Sequence, residues 1–170
     1  MSEQRARIED RVAADPGIHF NELVRSLDLA PGQVQHHVRR LLDADRVVSE
    51  RLYGRTHYYP PGVDERERAA LALCRRETAR DGLAALVVGG PQRPDDLADD
   101  LGVARSTLEY HLDRLVERDL VRKERDEAGR VTLVLADPKR TVRLLDAVEP
   151  TVPEQLVDRF TRLVDDLLAE

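Results

Sequence analysis

Apolar residues recur at helical spacing in 31–44, where three of them lie four and then three positions apart: Val34, Val38 and Leu41. This spacing places them on one face of an amphipathic helix. A shorter amphipathic segment, 22–27, comes before it, and the three residues 28–30 separate the two. The β-branched pair Val47-Val48 follows. The pattern therefore predicts a short helix, a tight turn, a longer helix and a strand.

The same pattern returns in 95–121. A constant shift of 74 positions aligns the apolar residues of the two stretches without a gap. The pairs are Leu23 with Leu97, Leu27 with Leu101, Leu29 with Val103, Val34 with Leu108, Val38 with Leu112, Leu41 with Leu115 and Val47 with Val121. So many matches in one register indicate an internal repeat.

A β-hairpin is predicted after each of the two longer helices. In the first copy, β-prone residues flank the tip Tyr53-Gly54-Arg55, and in the second copy the hairpin 122–135 has Gly129-Arg130 at its tip. Glycine at the tip between two β-prone runs is typical of a hairpin. Helix, turn, helix and hairpin together make a helix-turn-helix with a wing.

Each copy is also expected to start with a helix. The first is predicted at 3–14, and the second as a single long helix, straight or bent, over 64–88. Asn21 and Asp95 stand at equivalent positions and are expected to cap the short helices that follow. The two copies thus have the same predicted order of elements.

The predicted fold class is mainly α with small β-hairpins (α+β), in two winged helix-turn-helix domains in tandem plus a C-terminal helix. The proline and glycine residues 60–62 end the first copy. The predicted domains are 1–62, 63–138 and the C-terminal helices 139–170.

The last predicted helix, 153–169, carries an apolar stripe of Leu156, Phe160, Leu163 and Leu167. The stripe either packs on its own chain or pairs with a second copy. A homodimer is the preferred interpretation, because proteins of this architecture use two-fold symmetry to contact two DNA half-sites.

The composition limits the classes of function. The formal net charge is −6, which by itself argues against a nucleic-acid partner. Of the 27 basic residues, only Lys123 and Lys139 are lysine. Abundant acids and scarce aromatics resemble haloarchaeal proteins, in whose concentrated salt net charge says little about DNA binding. An acidic protein from a GC-rich genome is the alternative.

No secretory signal and no apolar run long enough for a membrane span are found, so a cytoplasmic location is expected. The single cysteine, Cys74, excludes an internal disulfide and a multi-thiolate metal site within one chain.

The first copy presents side chains that can read DNA. Amide, imidazole and guanidinium groups cover the outer face of its longer helix, and these groups pair with base edges or phosphates. An ordinary solvated helix face is the alternative. The candidates are Gln33, Gln35, His36, Arg39 and Arg40 on the helix and Arg51 and Arg55 on the hairpin. His57 is expected to meet phosphates and Tyr53 to pack on sugars.

The second copy has weaker candidates, because acids lie among its cations. Three arginines stand against three acids in 105–118, whereas two arginines and two histidines stand against one acid in 31–44. The first copy is therefore expected to be the better DNA reader. The second-copy candidates are Arg105, Ser106, Thr107, Tyr110, Arg114, Lys123 and Arg130.

The segments 26–48 and 100–121 resemble winged helix-turn-helix transcriptional regulators, most of all the ArsR- and MarR-like archaeal kind and haloarchaeal proteins with two such domains. The second segment, with Arg105-Ser106-Thr107, is the closer match. The resemblance implies that the longer helices enter the major groove of double-stranded DNA. The first segment departs from the pattern, with Pro31-Gly32-Gln33 in place of Arg-Ser-Thr.

Other chemistry is not indicated. His37 and His111 share one repeat position on the apolar side, which favours core-edge histidines bonded to the backbone over metal ligands. No nucleophile–base pair and no phosphate-binding glycine loop are found, so neither an enzyme nor a cofactor nor a metal is expected. A protein-interaction module and a ligand-responsive regulator are the alternatives to a DNA-binding regulator. The sequence names no effector.

Overall fold

The computed structural model describes residues 2–148 and 167–169, and most of the C-terminal helix predicted at 153–169 lies outside them. The mainly α fold class with small antiparallel hairpins is confirmed. The elements are α1 Glu3–Ala14, β1 Ile18–His19, α2 Phe20–Leu27, α3 Pro31–Asp43, β2 Val48–Leu52, β3 Arg55–Tyr59, α4 Glu65–Cys74, α5 Glu77–Gly89, α6 Pro94–Leu101, α7 Arg105–Glu117, β4 Val121–Arg125, β5 Val131–Leu135 and α8 Pro138–Val148.

The chain forms two compact units, Met1–Ala72 (unit 1) and Leu73–Glu170 (unit 2). The division falls inside α4, whereas the sequence predicts it at residue 62. None of the helices within 2–148 and 167–169 is both long and apolar enough to cross a membrane.

Unit 1 packs α1, α2 and α3 against a three-stranded antiparallel sheet of order β1-β3-β2. The apolar faces predicted from the helical spacing form one core. Its buried members are Ile8, Val12, Ile18, Leu23, Leu27, Val34, Val38, Leu41, Val47 and Tyr58. Burial of these faces fixes which side of α3 is left to solvent.

Unit 2 repeats this arrangement in the register that the sequence predicts. Shifting the first residues of α1, α2 and α3 by 74 positions gives 77, 94 and 105, the first residues of α5, α6 and α7. The backbone repeats as well: Asp28 and Gly102, which follow the short helices, have φ of 51° and 66°. Asp45 and Asp119 have φ of 54° and 58°. The internal repeat of the sequence is therefore also a repeat of the helix positions and of the backbone conformation.

The sheet of unit 2 is reduced. β4 pairs with β5 from Val121↔Leu135 to Arg125↔Val131. In place of a third strand, Gln92 forms a single bridge with Leu133, with N···O distances of 3.2 and 2.7 Å. Gln92 lies 74 positions after Ile18 of β1, so the bridge is the remnant of that strand pairing.

The single long helix predicted over 64–88 is wrong. α4 ends at Cys74, Arg76 is extended with φ −83° and ψ 124°, and α5 begins at Glu77. The sequence has no glycine or proline at this point. Residues 69–74 are all buried, at 0 to 5% exposed. The end of α4 therefore has no local signal in the sequence, and it coincides with a fully buried segment.

The two predicted helix caps are also wrong. α2 begins one residue before Asn21, and the imidazole of its N-cap His19 accepts a hydrogen bond from the Glu22 N–H at 3.4 Å. α6 begins at Pro94, one residue before Asp95, without a side-chain cap. Proline suits this position because its missing N–H has no partner there in any helix.

Candidate nucleic-acid interface

The outer face of α3 follows from the burial of its apolar stripe. Val34, Val38 and Leu41 are at most 4% exposed. The side chains on the other side of the helix are exposed, and they include Gln35, His36, Arg39 and Arg40. Neither arginine makes an ion pair with another described residue. Their guanidinium groups are thus available to a ligand.

Gln33 is exposed, but its side chain is bonded within its own helix. The N-cap of α3 is Ala30, whose methyl group cannot accept a hydrogen bond. Oε1 of Gln33 instead accepts a hydrogen bond from the Ala30 N–H at 3.2 Å. The amide of Gln33 keeps its two N–H donors. A bidentate contact with a base would also use Oε1, and the hydrogen bond from Ala30 would then be lost.

His37 and His111 are half-buried, each with Nδ1 buried and without a hydrogen-bond partner among the described residues. The predicted tether of each imidazole to the backbone is therefore wrong. Burial lowers the pKa of His37, and the positive charges of His36, Arg5 and Arg40 lower it further. Burial likewise lowers the pKa of His111. Both positions favour the neutral imidazole.

Two arginines flank the tip of hairpin 1, which β2 and β3 form. Tyr53 and Gly54 at the tip have φ of 51° and 81°, and a positive φ at both central residues defines a type I′ turn. The turn ends β2 at Leu52 and begins β3 at Arg55. Arg51 and Arg55 are exposed, and neither makes an ion pair with another described residue.

A groove of about 470 Å³ lies between hairpin 1 and the start of α2. Its lining includes three arginines, Arg25, Arg51 and Arg55, with Thr56 beside them. Arg25 was not predicted as a site residue. Its place near the hairpin depends on the pairing of β1 with β3, and no local pattern in the sequence reveals that pairing.

Two hairpin residues do not point to solvent as expected. His57 is fully buried, and its Nδ1 lies 2.6 Å from the carbonyl oxygen of Gly17, because β1 pairs with β3 at this position. Tyr53 is half-buried and packs against the small apolar cluster of Leu52, Ala69 and Ala72. The expected phosphate contact of His57 is therefore wrong, and Tyr53 acts in packing.

A second cationic depression lies between α1 and α3 and is called the α1–α3 cleft. Its volume is about 540 Å³. Its lining residues are Arg5, His36, Arg39, Arg40, Asp43 and Ala44. No pattern in the sequence marks Arg5 as a site residue, because the spacing of Ile8 and Val12 predicts only that α1 supports the core. The cleft shares no lining residue with the groove at hairpin 1.

Three of the four cations predicted to contact DNA in unit 2 are paired with acids. Arg105, at the start of α7, contacts the carboxylates of Asp95 and Glu109, the latter at 2.8 Å. Glu109 also accepts a hydrogen bond from Lys123 Nζ at 2.9 Å. Lys123 above all, and then Arg105, hold the pKa of Glu109 below its ordinary value despite partial burial. Two predicted DNA-contact cations thus share one carboxylate.

Arg130, at the tip of the hairpin that β4 and β5 form, pairs with Asp126 at 2.8 Å. The same carboxylate accepts hydrogen bonds from the backbone N–H groups of Arg130 and Ala128, both at 2.9 Å. The backbone bond from Arg130 is the main cause of the lowered pKa of Asp126. Asp126 therefore organises the tip and neutralises its arginine.

The outer face of α7 also carries a stacked pair. The guanidinium of Arg114 lies 4.0 Å from the centre of the Tyr110 ring and donates a hydrogen bond to its hydroxyl. Tyr110 is 54% exposed, and Ser106 and Thr107 beside it are exposed. Stacking stabilises an exposed arginine by about 0.5–1 kcal/mol, so Arg114 is held on its own helix.

In residues 2–148 and 167–169, no group of three His, Cys, Asp or Glu side chains is placed to bind one metal ion. Cys74 is fully buried.

Comparison with known proteins matches both units. A family model described as an N-terminal HTH domain matches residues 2–71, and a helix-turn-helix domain model matches residues 77–124. An uncharacterized HTH-type transcriptional regulator from Methanocaldococcus jannaschii is 27% identical over 131 residues. The match covers 77% of this chain but only 33% of that relative.

These matches agree with the repeated order of helix, turn, helix and hairpin in the two units. One domain match covers α1 to α4, and the other covers α5 to the end of β4, so the two boundaries fall close to the division between the units. The chain therefore contains two helix-turn-helix domains in tandem, and it is similar to part of a protein named as an HTH-type transcriptional regulator.

Proposed function

We propose that the protein is a sequence-specific DNA-binding transcription regulator that reads DNA with unit 1. α3 enters the major groove, and hairpin 1 lies along the phosphate backbone. The observation that supports this proposal most strongly is the exposed face of α3, where the guanidinium groups of Arg39 and Arg40 have no acidic partner among the described residues.

The chemistry of this face suits base recognition. Arginine binds guanine through two parallel hydrogen bonds, and a glutamine amide binds adenine in the same way. Arg39 and Gln35 offer these two groups from neighbouring turns of α3. A bidentate pair discriminates against a wrong base by about 1–3 kcal/mol, so two such contacts suffice for useful specificity.

The acidic net charge does not oppose DNA binding by unit 1. Residues 149–170 hold six acids and two arginines, so they contribute −4 of the total charge of −6. Residues 1–148 therefore carry a net charge of only −2. What attracts phosphate is the local arrangement of arginines without partners, whose field reaches only a few ångströms in concentrated salt.

We further propose that the regulator is an ArsR-like, halophilic protein that acts as a homodimer. The apolar stripe that the sequence predicts, Leu156, Phe160, Leu163 and Leu167, supports pairing with a second copy. Two copies would place two α3 helices on half-sites about 34–36 Å apart. Sedimentation of the full chain at the host's salt concentration tests this state.

The main experiment selects binding sites from random DNA with the full chain and measures affinity by fluorescence anisotropy. Arg39→Ala should weaken the selected site by about 1–3 kcal/mol, roughly 5- to 150-fold, and relax the preference at one base position. Arg55→Ala should weaken selected and random DNA alike and reduce the salt slope by about 0.9.

The matched control is Arg66→Ala, which removes an exposed arginine of α4 that lines neither cleft. It should leave affinity unchanged. If neither Arg39→Ala nor Arg55→Ala alters binding, or if no sequence is enriched, the proposal is wrong. A protein that co-purifies with the chain, with no DNA retained, would instead favour a protein-interaction module.

A further inference from the structure

The α1–α3 cleft of unit 1 collects positive charge from two helices. Three guanidinium groups, those of Arg5, Arg39 and Arg40, line it together with the imidazole of His36. The only carboxylate in the lining is that of Asp43. A depression with three arginines and one acid is suited to an anion, and arginine forks match the geometry of phosphate oxygens.

Arg5 differs from the other arginines of α1. Arg7 donates a hydrogen bond to the carbonyl oxygen of Leu27 at 3.1 Å, and Arg11 pairs with Asp15 at 2.9 Å. The Nε atom of Arg5 is buried and has no hydrogen-bond partner among the described residues. Arg5 also makes no ion pair with another described residue, and its side chain lines the cleft, so its guanidinium group can bind an anion there.

The positive charges of the cleft also act on His37, the neighbour of the lining residue His36. After burial, the largest causes of the lowered pKa of His37 are the positive charges of His36, Arg5 and Arg40, all of which line the cleft. Charges from α1 and α3 therefore converge on one place. Repulsion among them is relieved when a negative group enters.

We propose that the α1–α3 cleft binds a backbone phosphate of the DNA that α3 reads, with Arg5 as a phosphate-contact residue. The proposal rests on the proposed function. It adds a second phosphate contact, from α1, that is separate from the arginines of hairpin 1. Phosphate contacts would then hold α3 in the groove from two sides, with Arg5 and Arg40 on one side and Arg51 and Arg55 on the other.

The test compares Arg5→Gln with the wild type on selected and random DNA over a series of KCl concentrations. Arg5→Gln should weaken both DNAs by the same factor, about tenfold at moderate salt. It should also reduce the salt slope by about 0.9, the value for one lost phosphate contact. Arg5→Lys keeps the charge and should keep the slope.

The control is Arg7→Gln, the same change two positions further along α1, at a residue that does not line the cleft. It should leave the salt slope unchanged. Far-UV circular dichroism melts show that each variant is folded, and Arg5→Lys provides the comparison if Arg5→Gln is less stable. A weaker Arg5→Gln complex with an unchanged slope would overturn the proposal, since it would mean a structural role only.

The outcomes also separate this proposal from the proposed function. If the wild type selects a DNA sequence and Arg5→Gln binds it with wild-type affinity and slope, the phosphate contact is wrong and the regulator function stands. If the wild type selects no DNA, both are wrong. If inorganic phosphate raises the wild-type melting temperature but not that of Arg5→Gln, and DNA binding is unchanged, the cleft binds a free anion and the DNA contact is overturned.

Discussion

Unit 1 and unit 2 share a fold and a register, but they differ in whether the cations predicted to contact DNA have acidic partners. Gln35 and Arg39 on α3 correspond, 74 positions later, to Glu109 and Asp113 on α7. At these two positions α3 carries an amide and a guanidinium group, which suit hydrogen bonds to bases, whereas α7 carries two carboxylates. In unit 1 the arginines of the face lack acidic partners among the described residues, whereas in unit 2 Glu109 holds Arg105 and Lys123.

The comparison shows that two units with equivalent cores can present different charges on their surfaces. Exposed ion pairs of the kind in unit 2 contribute only about 0.2–1 kcal/mol to stability. Their effect on a partner is larger, because a phosphate would have to displace the carboxylate before it could bind the cation. Two helices that occupy equivalent positions in the repeat, such as α3 and α7, can therefore differ in how readily they bind a phosphate.

The largest effect is expected from giving α3 the residues of α7. The double variant Gln35→Glu, Arg39→Asp removes two base contacts and adds two negative charges near phosphates. We expect a loss of about 2–6 kcal/mol in DNA affinity, since each contact contributes about 1–3 kcal/mol. Fluorescence anisotropy on the selected site measures it. An affinity within threefold or so of the wild type would mean that unit 1 does not read DNA.

Equivalent core truncations should be equally costly in the two units. Leu23 and Leu97 are fully buried at matching positions of α2 and α6. Leu23→Ala and Leu97→Ala should each destabilise their own unit by about 2–5 kcal/mol. Denaturant unfolding followed by circular dichroism measures the cost. If one substitution were tolerated and the other not, the two cores would not be the equivalent scaffolds that the repeat indicates.

The sequence predicted the scaffold well because burial follows helical spacing. The alternation of apolar and polar residues predicts the buried stripes of α3 and α7. It also predicts where these two helices begin. The break between α4 and α5 was missed, because it has no glycine or proline and coincides with a buried segment. Both caps were misplaced by two residues, since the N-cap positions are His19 and Arg93 rather than the expected Asn21 and Asp95.

The site was predicted less completely, because contacts between distant residues leave no local pattern. Exposure of the α3 residues followed from periodicity alone. The burial of His57 depends on β1, and the role of Arg5 depends on how α1 crosses α3. The bond between Lys123 and Glu109 joins β4 to α7, so counting charges indicated dilution but not pairing.

Reversing the change in unit 2 should have a smaller effect. The double variant Glu109→Gln, Asp113→Arg gives α7 the residues of α3 and releases Arg105 and Lys123 from their shared carboxylate. We expect DNA affinity to rise by about 1 kcal/mol, with a salt slope steeper by about 0.9 for each new phosphate contact. Unchanged affinity and slope would mean that something other than these acids keeps unit 2 from DNA.

The control for this gain is Glu117→Gln, which removes an exposed acid from the end of the same helix. Glu117 pairs with no cation among the described residues. Its removal changes the net charge without releasing Arg105 or Lys123. An equal gain in the control would assign the effect to net charge rather than to the pairing.

The smallest expected effect is a pH dependence that the two units share. Burial is the main cause of the lowered pKa of His37 in unit 1 and of His111 in unit 2, with positive neighbours adding to it: His36, Arg5 and Arg40 for His37, and Arg114 and Arg76 for His111. The folded chain therefore binds fewer protons than the unfolded chain in the range below the ordinary histidine pKa of about 6.5.

Because the unfolded chain takes up these protons first, the free energy of unfolding should fall as the pH is lowered through about 6.5. His37→Gln and His111→Gln should each flatten this dependence, and the double variant should flatten it further. Urea unfolding at a series of pH values from about 7.5 to 5 measures the slopes against the wild type. The half-buried position is shared, whereas the charged neighbours differ. If only one variant flattened the profile, charge rather than burial would control these histidines, and the two units would differ inside the scaffold as well as on its surface.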